Sequence, residues 1–200
     1  MCTRCILELP ETGFHHDADN PLFLRLFGRL NVAHAFAYLH FRKGGKVQHL
    51  LHELKYQNQP QIGHIIGKVY GEKLASDGYR DCFDIIIPVP LHPARQRRRG
   101  YNQSEEFAKG LSQFMNAACV SDAVCRNQKT TTQTKKTKLK RWQNVSDVFN
   151  VTDHNVIKGR RVLLVDDVIT TGATIEACSK AIIEAGCAQL SIAGIAYAHD

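Results

Sequence analysis

Apolar residues fall into short separate groups along the chain, and their spacing alternates between strand and helix periods. Val162 to Val165 is an unbroken apolar run with β-branched members, which predicts a strand buried on both faces. Asp166 and Asp167 cut the run off, so the strand is expected to end there. A turn of small residues, Thr170 to Thr174, follows. Ile175, Cys178, Ile182 and Ile183 then recur at helical spacing from about Ala173 to Glu184, with Gly186 as the C-terminal cap. Upstream, Asp84 to Pro90 is a second buried strand stopped by its prolines. Val32 to Phe41 predicts another, with Ala35, Ala37, Leu39 and Phe41 on one face, and Leu190 to Tyr197 a closing one. Helical stripes run from Asn20 to Leu30, from Lys46 to Tyr56 after the Gly44-Gly45 turn, from Ile62 to Leu74 after Pro60, and from Asn102 to about Asn116. Asn102 with Glu105 makes a capping box for the last of these. Cys119 to Cys125 is a modest strand, and Arg126 to Trp142 has no period and reads as a loop. Strands alternating with helices predict an α/β fold: a doubly wound, mostly parallel sheet with its site at the carboxyl edge.

The first strand, the acid pair, the small-residue turn and the helix start form an anion site with sugar-binding groups beside it. The first N–H groups of a helix lack partners within it and face its positive dipole end, which favours phosphate. Gly172, next to Ala173, lets the backbone come close, and Thr170, Thr171 and Thr174 add hydroxyl donors. Asp166 and Asp167 can accept hydrogen bonds from a vicinal diol. Ordinary capping would account for Thr171, Thr174 or Asp167 singly. Adjacent carboxylates, however, repel unless something offsets them. The reading requires that the aspartates not be buried in salt bridges and that side chains not fill the turn.

Charge adds a second feature. The net charge of the 200 residues is +7, and it is concentrated. Arg95, Arg97, Arg98 and Arg99 precede Gly100 at the end of the Asp84 to Pro90 strand, an arrangement that suits a pyrophosphate clamp. Arg126, Lys129, Lys135, Lys136, Lys138, Lys140 and Arg141 form another cluster. Concentrated positive charge implies polyanionic partners. The basic loop suits closure over a pyrophosphate; equally, Lys135 to Arg141 suits single-stranded nucleic acid, with Trp142 to stack on a base. Lys55 and Tyr56, ending a helix, read as structural.

An apolar fraction of 44% is ample for a core. No apolar run approaches the ~20 residues of a membrane span, and seven scattered cysteines fit a reducing cytoplasm. The length suits residues 31–200 as one domain and residues 1–30 as an N-terminal segment. That segment opens with Cys2-x-x-Cys5, half of the four ligands a structural zinc (Zn2+) site takes. His15 and His16 are candidates to add to it, although neighbouring imidazoles rarely both reach one metal.

The Arg161 to Glu176 stretch resembles the phosphoribosyl pyrophosphate signature of type I phosphoribosyltransferases. That resemblance implies that Asp166 and Asp167 hold the ribose 2′- and 3′-hydroxyls while Thr170 to Thr174 wrap the 5′-phosphate. Purine-salvage members often carry an acidic residue where this chain has Thr170, which argues against a hypoxanthine or guanine enzyme. Three segments in order (Pro88-Val-Pro-Leu-His92 with Arg99-Gly-Tyr-Asn-Gln103, then Thr132-Gln-Thr134 with Arg141 and Asn144, then the acid pair) resemble the ComF family, linked to competence and DNA uptake. Its usual four-cysteine zinc module has two Cys-x-x-Cys pairs. This chain carries one, in the place of the second.

The resemblance implies phosphoribosyl transfer to an acceptor that no residue specifies. Magnesium (Mg2+) would bridge ribose hydroxyls and pyrophosphate near Asp166 and Asp167, and Arg98, Arg99, Gly100, Lys135 and Lys136 would stabilise the leaving group. The alternative is a non-enzymatic adaptor that keeps the pocket while its basic faces engage single-stranded DNA or a helicase-like uptake partner.

Overall fold

A computed structural model describes residues 3–127 and 148–198. At its centre is a five-stranded sheet made of β1 (Ala35–Phe41), β2 (Ile85–Pro88), β3 (Ala118–Cys119), β6 (Arg161–Ile169) and β7 (Gln189–Ala198). The strand order is β1-β7-β6-β2-β3, and every neighbouring pair is parallel. A separate antiparallel pair joins β4 (Val124–Arg126) to β5 (Phe149–Val151). Parallel neighbours need crossover connections, and helices on both faces supply them.

Side chains on β6 alternate between two apolar layers, as a doubly covered strand requires. Val162 and Leu164 join the layer containing α2 (Pro21–Leu26) and α8 (Ala173–Glu184). Leu163 and Val165 join the layer formed by α3 (Lys46–Tyr56), α4 (Pro60–Leu74) and α6 (Gln103–Ser112). All four are fully buried, each contributing about 1.5–3 kcal/mol. Phe14, Leu22, Leu26 and Leu30 pack in the first layer. Glycines set the second: a methyl on Gly67 would strike the Phe107 carbonyl oxygen, and one on Gly110 that of His64, so α4 and α6 meet backbone to backbone.

Four expectations need correction. β6 does not end at the acid pair but continues to Ile169, pairing Asp166 with Gly194 and Ile169 with Tyr197 of β7. Gly194 makes room for this, because a Cβ there would stand 3.0 Å from Ile169 Cδ1. β1 has no single apolar face: Ala35 and Ala37 pack in one layer, Phe36, Tyr38 and Leu39 in the other. The Cys119 to Cys125 stretch is split between β3 and β4, which belong to different sheets. The arginine segment is itself helical, α5 (Pro93–Arg99), with Pro93 opening it and Gly100 ending it at φ 82.

α1 (Thr3–Leu7) carries Cys5, which is exposed. Cys2, Lys135, Lys136 and Trp142 lie outside the described residues. α7 (His154–Ile157) is a single turn leading through Gly159 into β6. No helix among the described residues is long and apolar enough to cross a membrane.

Candidate functional site

At their amino ends β2 and β6 are pinned in register. The Arg161 guanidinium donates to Asp84 Oδ1 at 2.7 Å, and the Arg161 N–H to Asp84 Oδ2 at 2.7 Å. Pairing then runs from Ile85 with Val162 to Pro88 with Val165. Val89 N–H still reaches the Val165 carbonyl at 2.8 Å. Beyond that contact β2 has ended while β6 continues, supported by β7. Asp166 and Asp167 therefore stand at the carboxyl edge, on a strand whose β2 side has become open.

The two carboxylates differ. Asp166 Oδ1 accepts from the Ser104 hydroxyl at 3.0 Å and from the Asp167 N–H at 2.8 Å. Burial and, next, the Asp167 charge push its pKa up to about 7; the Asp167 N–H, Ser104 and the Lys55 charge pull the other way. Part of Asp166 keeps contact with solvent, but protein packed around the carboxyl still withholds water from it. Asp167 Oδ2 pairs with Lys55 Nζ at 2.9 Å, the two side chains being 15% and 23% exposed. One carboxylate thus has a cationic partner, and the other is held by neutral donors.

Lys55 and Ser104 are the site residues that sequence reasoning missed. A lysine in the last turn of a helix is ordinary, because the dipole favours cations there, and Lys55 ends α3 in that way. Ser104 lies in the first turn of α6, where small hydroxyl residues are common. Only the packing of α3 and α6 beside β6 turns either toward the acid pair.

The turn after β6 is braced from one side. Gly172, in the left-handed region at φ 79, is the N-cap of α8. A Cβ there would press on Leu26 Cδ2 at 3.0 Å. Arg25 donates to the Thr170 carbonyl at 2.9 Å, and Arg29 to the Thr171 carbonyl at 3.0 Å and to the Glu176 carboxylate. The guanidinium groups thus take acceptors of the turn. The leading N–H groups of α8 keep no partner within their helix. Thr170, Thr171, Ala173 and Thr174 are exposed, and the Thr171 hydroxyl accepts from the Ala173 N–H at 3.4 Å.

The arginine segment is tied to the same edge. Arg99 donates to Gln103 at 2.6 Å and lies 5.3 Å above the Tyr56 ring. The Tyr101 hydroxyl donates to the Leu54 carbonyl, and Asn102 to that of Val89 at 3.0 Å. Asn102 also caps α6 by accepting from the Ser104 N–H. Arg99 thus grips the neighbours of Lys55 and Ser104. Arg98 is exposed, and among the described residues no hydrogen bond or ion pair links it to Asp166 or Asp167. Arg126, at the end of β4, lies 5.3 Å over the Phe149 ring. Burial and the Arg95 charge lower its pKa, against the nearby charge of Asp166.

The arrangement offers, in sequence along one edge, oxygen acceptors for a diol or a hard cation, a lysine, and a turn with open donors. This sheet order and edge site define a phosphoribosyltransferase-type domain. Residues 55–200 match the family described as the phosphoribosyl transferase domain. The chain is 39% identical over 154 residues to Competence protein F of Haemophilus influenzae, covering 74% of this chain and 67% of that protein. It is 28% identical over 146 residues to DNA utilization protein YhgH of Escherichia coli K12, covering 72% and 63%. Competence protein ComFC of Bacillus subtilis is 31% identical over 108 residues, covering 54% and 42%. The chain thus spans less than two thirds of the YhgH proteins it matches. Among solved structures, the glutamine phosphoribosylpyrophosphate amidotransferase of Bacillus subtilis superposes with a TM-score of 0.48 at 22% identity, covering 66% of this chain and 26% of that one. A Staphylococcus aureus hypoxanthine phosphoribosyltransferase gives 0.40 at 14%, covering 68% and 62%. The chain belongs to the phosphoribosyl transferase domain family, among the homologues of Competence protein F, ComFC and YhgH.

Proposed function

We propose that the edge site binds phosphoribosyl pyrophosphate and transfers its phosphoribosyl group to a nucleophile. The observation that carries this reading is the acid pair standing past the end of β2, next to a glycine-started helix whose turn is open. Asp166 and Asp167 accept the ribose hydroxyls, and the donors from Thr170 to Thr174 hold the 5′-phosphate. Lys55 pairs with Asp167 and offers positive charge to the pyrophosphate side. Departure of pyrophosphate leaves positive charge on the ribose carbon, as in glycoside cleavage. Positioning and fixed charges do most of the work. Arg98, Arg99 and Gly100 border the leaving group's side; Lys135 and Lys136, outside the described residues, are proposed to add positive charge for it.

The donor set fits magnesium, being all oxygen and, among the described residues, paired with one lysine. Asp166 and Asp167 would hold the ion, directly or through water, and it would neutralise pyrophosphate charge. The Cys2–Cys5 pair is the proposed thiolate part of a zinc site.

The names of the relatives favour work connected with DNA. Single-stranded DNA and a helicase-like protein are the proposed partners, in the cytoplasm. The test is release of pyrophosphate from phosphoribosyl pyrophosphate with magnesium, across a panel of nucleobases and amines. Release that Asp167→Asn abolishes supports transfer. No release with any acceptor defeats it and leaves the DNA-binding adaptor.

A further inference from the structure

The hollow between the N-terminal segment and the end of α4 holds chemistry that the edge site does not use. A 3-10 turn, Phe14–His16, opens at Gly13 with φ 70 and is held on several sides. Phe14 N–H donates to Thr12 Oγ1 at 3.1 Å, Asn20 donates to the Phe14 carbonyl at 3.1 Å, and the Tyr79 hydroxyl to that of His15 at 2.9 Å. Facing it, Asp77 lies in the irregular turn that continues α4, just before Gly78 at φ 92. The backbone of the histidine turn is therefore held before any ligand arrives.

Two adjacent imidazoles converge here. Their ring centroids are 4.0 Å apart. His15 Nε2 is 3.1 Å and His16 Nε2 3.9 Å from the same oxygen, Asp77 Oδ2. One ligand atom from each of the three residues lies within 4.8 Å of the others. The His15 side chain is 4% exposed, and its Nδ1 has no hydrogen-bond partner among the described residues. His16 is exposed, so the group opens into a hollow of about 680 Å³, also lined by Glu11, Glu72 and the Glu11-paired Lys73.

We propose that His15, His16 and Asp77 form a binding site for a borderline divalent ion such as zinc. The atoms are His15 Nε2, His16 Nε2 and Asp77 Oδ2, with water completing the set from the hollow. Two imidazoles and a carboxylate with one open position match the donor count of three-ligand zinc sites. An ordinary histidine–carboxylate hydrogen bond accounts for His15 and Asp77, whereas the His16 Nε2, 3.9 Å from the same oxygen, is beyond hydrogen-bond reach yet within the span of one ion's donors. Imidazole must be neutral to bind a metal. The ion would staple the N-terminal segment to α4, on residues distinct from the thiols of Cys2 and Cys5.

The test uses the full chain with Cys2→Ser and Cys5→Ser, stripped of metal and titrated with cobalt(II) by absorption and with zinc by calorimetry. The proposal expects one equivalent bound, with visible cobalt bands and no thiolate charge-transfer band. His16→Ala and Asp77→Asn, both at accessible positions, are each expected to weaken binding by more than about tenfold, since outer-shell partners alone are worth that much. Circular dichroism checks that these variants fold. No binding in the Cys2→Ser/Cys5→Ser chain, or unchanged binding in His16→Ala, overturns the site.

Discussion

β2 and β6 lie side by side in the sheet, and both end in polar segments rich in charge, yet the two ends are built for different purposes. At the end of β6 the acid pair keeps open coordination: Asp166 is held by neutral donors, Asp167 by one lysine, and the following turn has exposed hydroxyls. At the end of β2 several side chains are tied back into the fold, while Arg95, Arg97 and Arg98 stand exposed and the buried Arg99 Nε has no hydrogen-bond partner among the described residues. Arg99 is spent on Gln103 and Tyr56, Tyr101 on Leu54, and Asn102 on Val89 and Ser104. The difference teaches that charge density in a sequence does not locate a site. What locates it is where the fold brings groups from separate elements together, and the β2 segment contributes by tying Tyr101 to α3 and Asn102 to α6 beside the acid pair.

The comparison breaks most severely at Lys55. Lys55→Met leaves two adjacent carboxylates without their cation and is expected to abolish pyrophosphate release. It should also cost about 1–3 kcal/mol in denaturant unfolding, between the values for exposed and buried pairs. Next comes Asp166. Its raised pKa means the folded chain holds a proton that the unfolded chain releases at about pH 4. Wild-type stability should therefore fall as pH rises from about 4 to about 7 and level off above, whereas Asp166→Asn lacks this fall. Thermal melts across that window should show the variant gaining on the wild type as pH rises. A constant gap would mean that Asp166 is not desolvated.

Two glycines sharpen the contrast on a smaller scale. Gly172→Ala and Gly100→Ala each force a Cβ into the left-handed region, which costs about 1 kcal/mol. At Gly172 the new methyl also meets Leu26, whereas at Gly100 it meets nothing within 4 Å. The β6 variant should thus melt lower than the β2 one. Smallest is the arginine pair. Arg99→Ala should cost about 0.5–1.5 kcal/mol through its lost ring contact and hydrogen bond. Arg98→Ala should leave the melting temperature unchanged and reduce only the salt dependence of ligand binding.

Much of this architecture is legible in the amino-acid sequence. Val162 to Val165, the helix from Ala173 and the one from Lys46 are readable because buried runs and amphipathic stripes are local signals. The extension of β6 is not, since two aspartates look like a terminator and the space that Gly194 leaves for Ile169 is decided on another strand. Asp166 and Asp167 are recognisable as an unusual pair, but not their inequality, which arises from Ser104 and Lys55 on two other helices. The convergence of His15 and His16 is hidden for the same reason: Gly13 sets the turn, and Asp77 arrives from the end of α4.

The central claim is that the acid pair and the turn after β6 together hold a sugar phosphate. Calorimetric titration of phosphoribosyl pyrophosphate with magnesium, into the wild type and into the Asp166→Asn/Asp167→Asn double variant, tests it most directly. The wild type should bind one equivalent in competition with ribose 5-phosphate, and the folded double variant should give no heat. Equal affinity in both proteins, or no binding to the wild type, would contradict the claim.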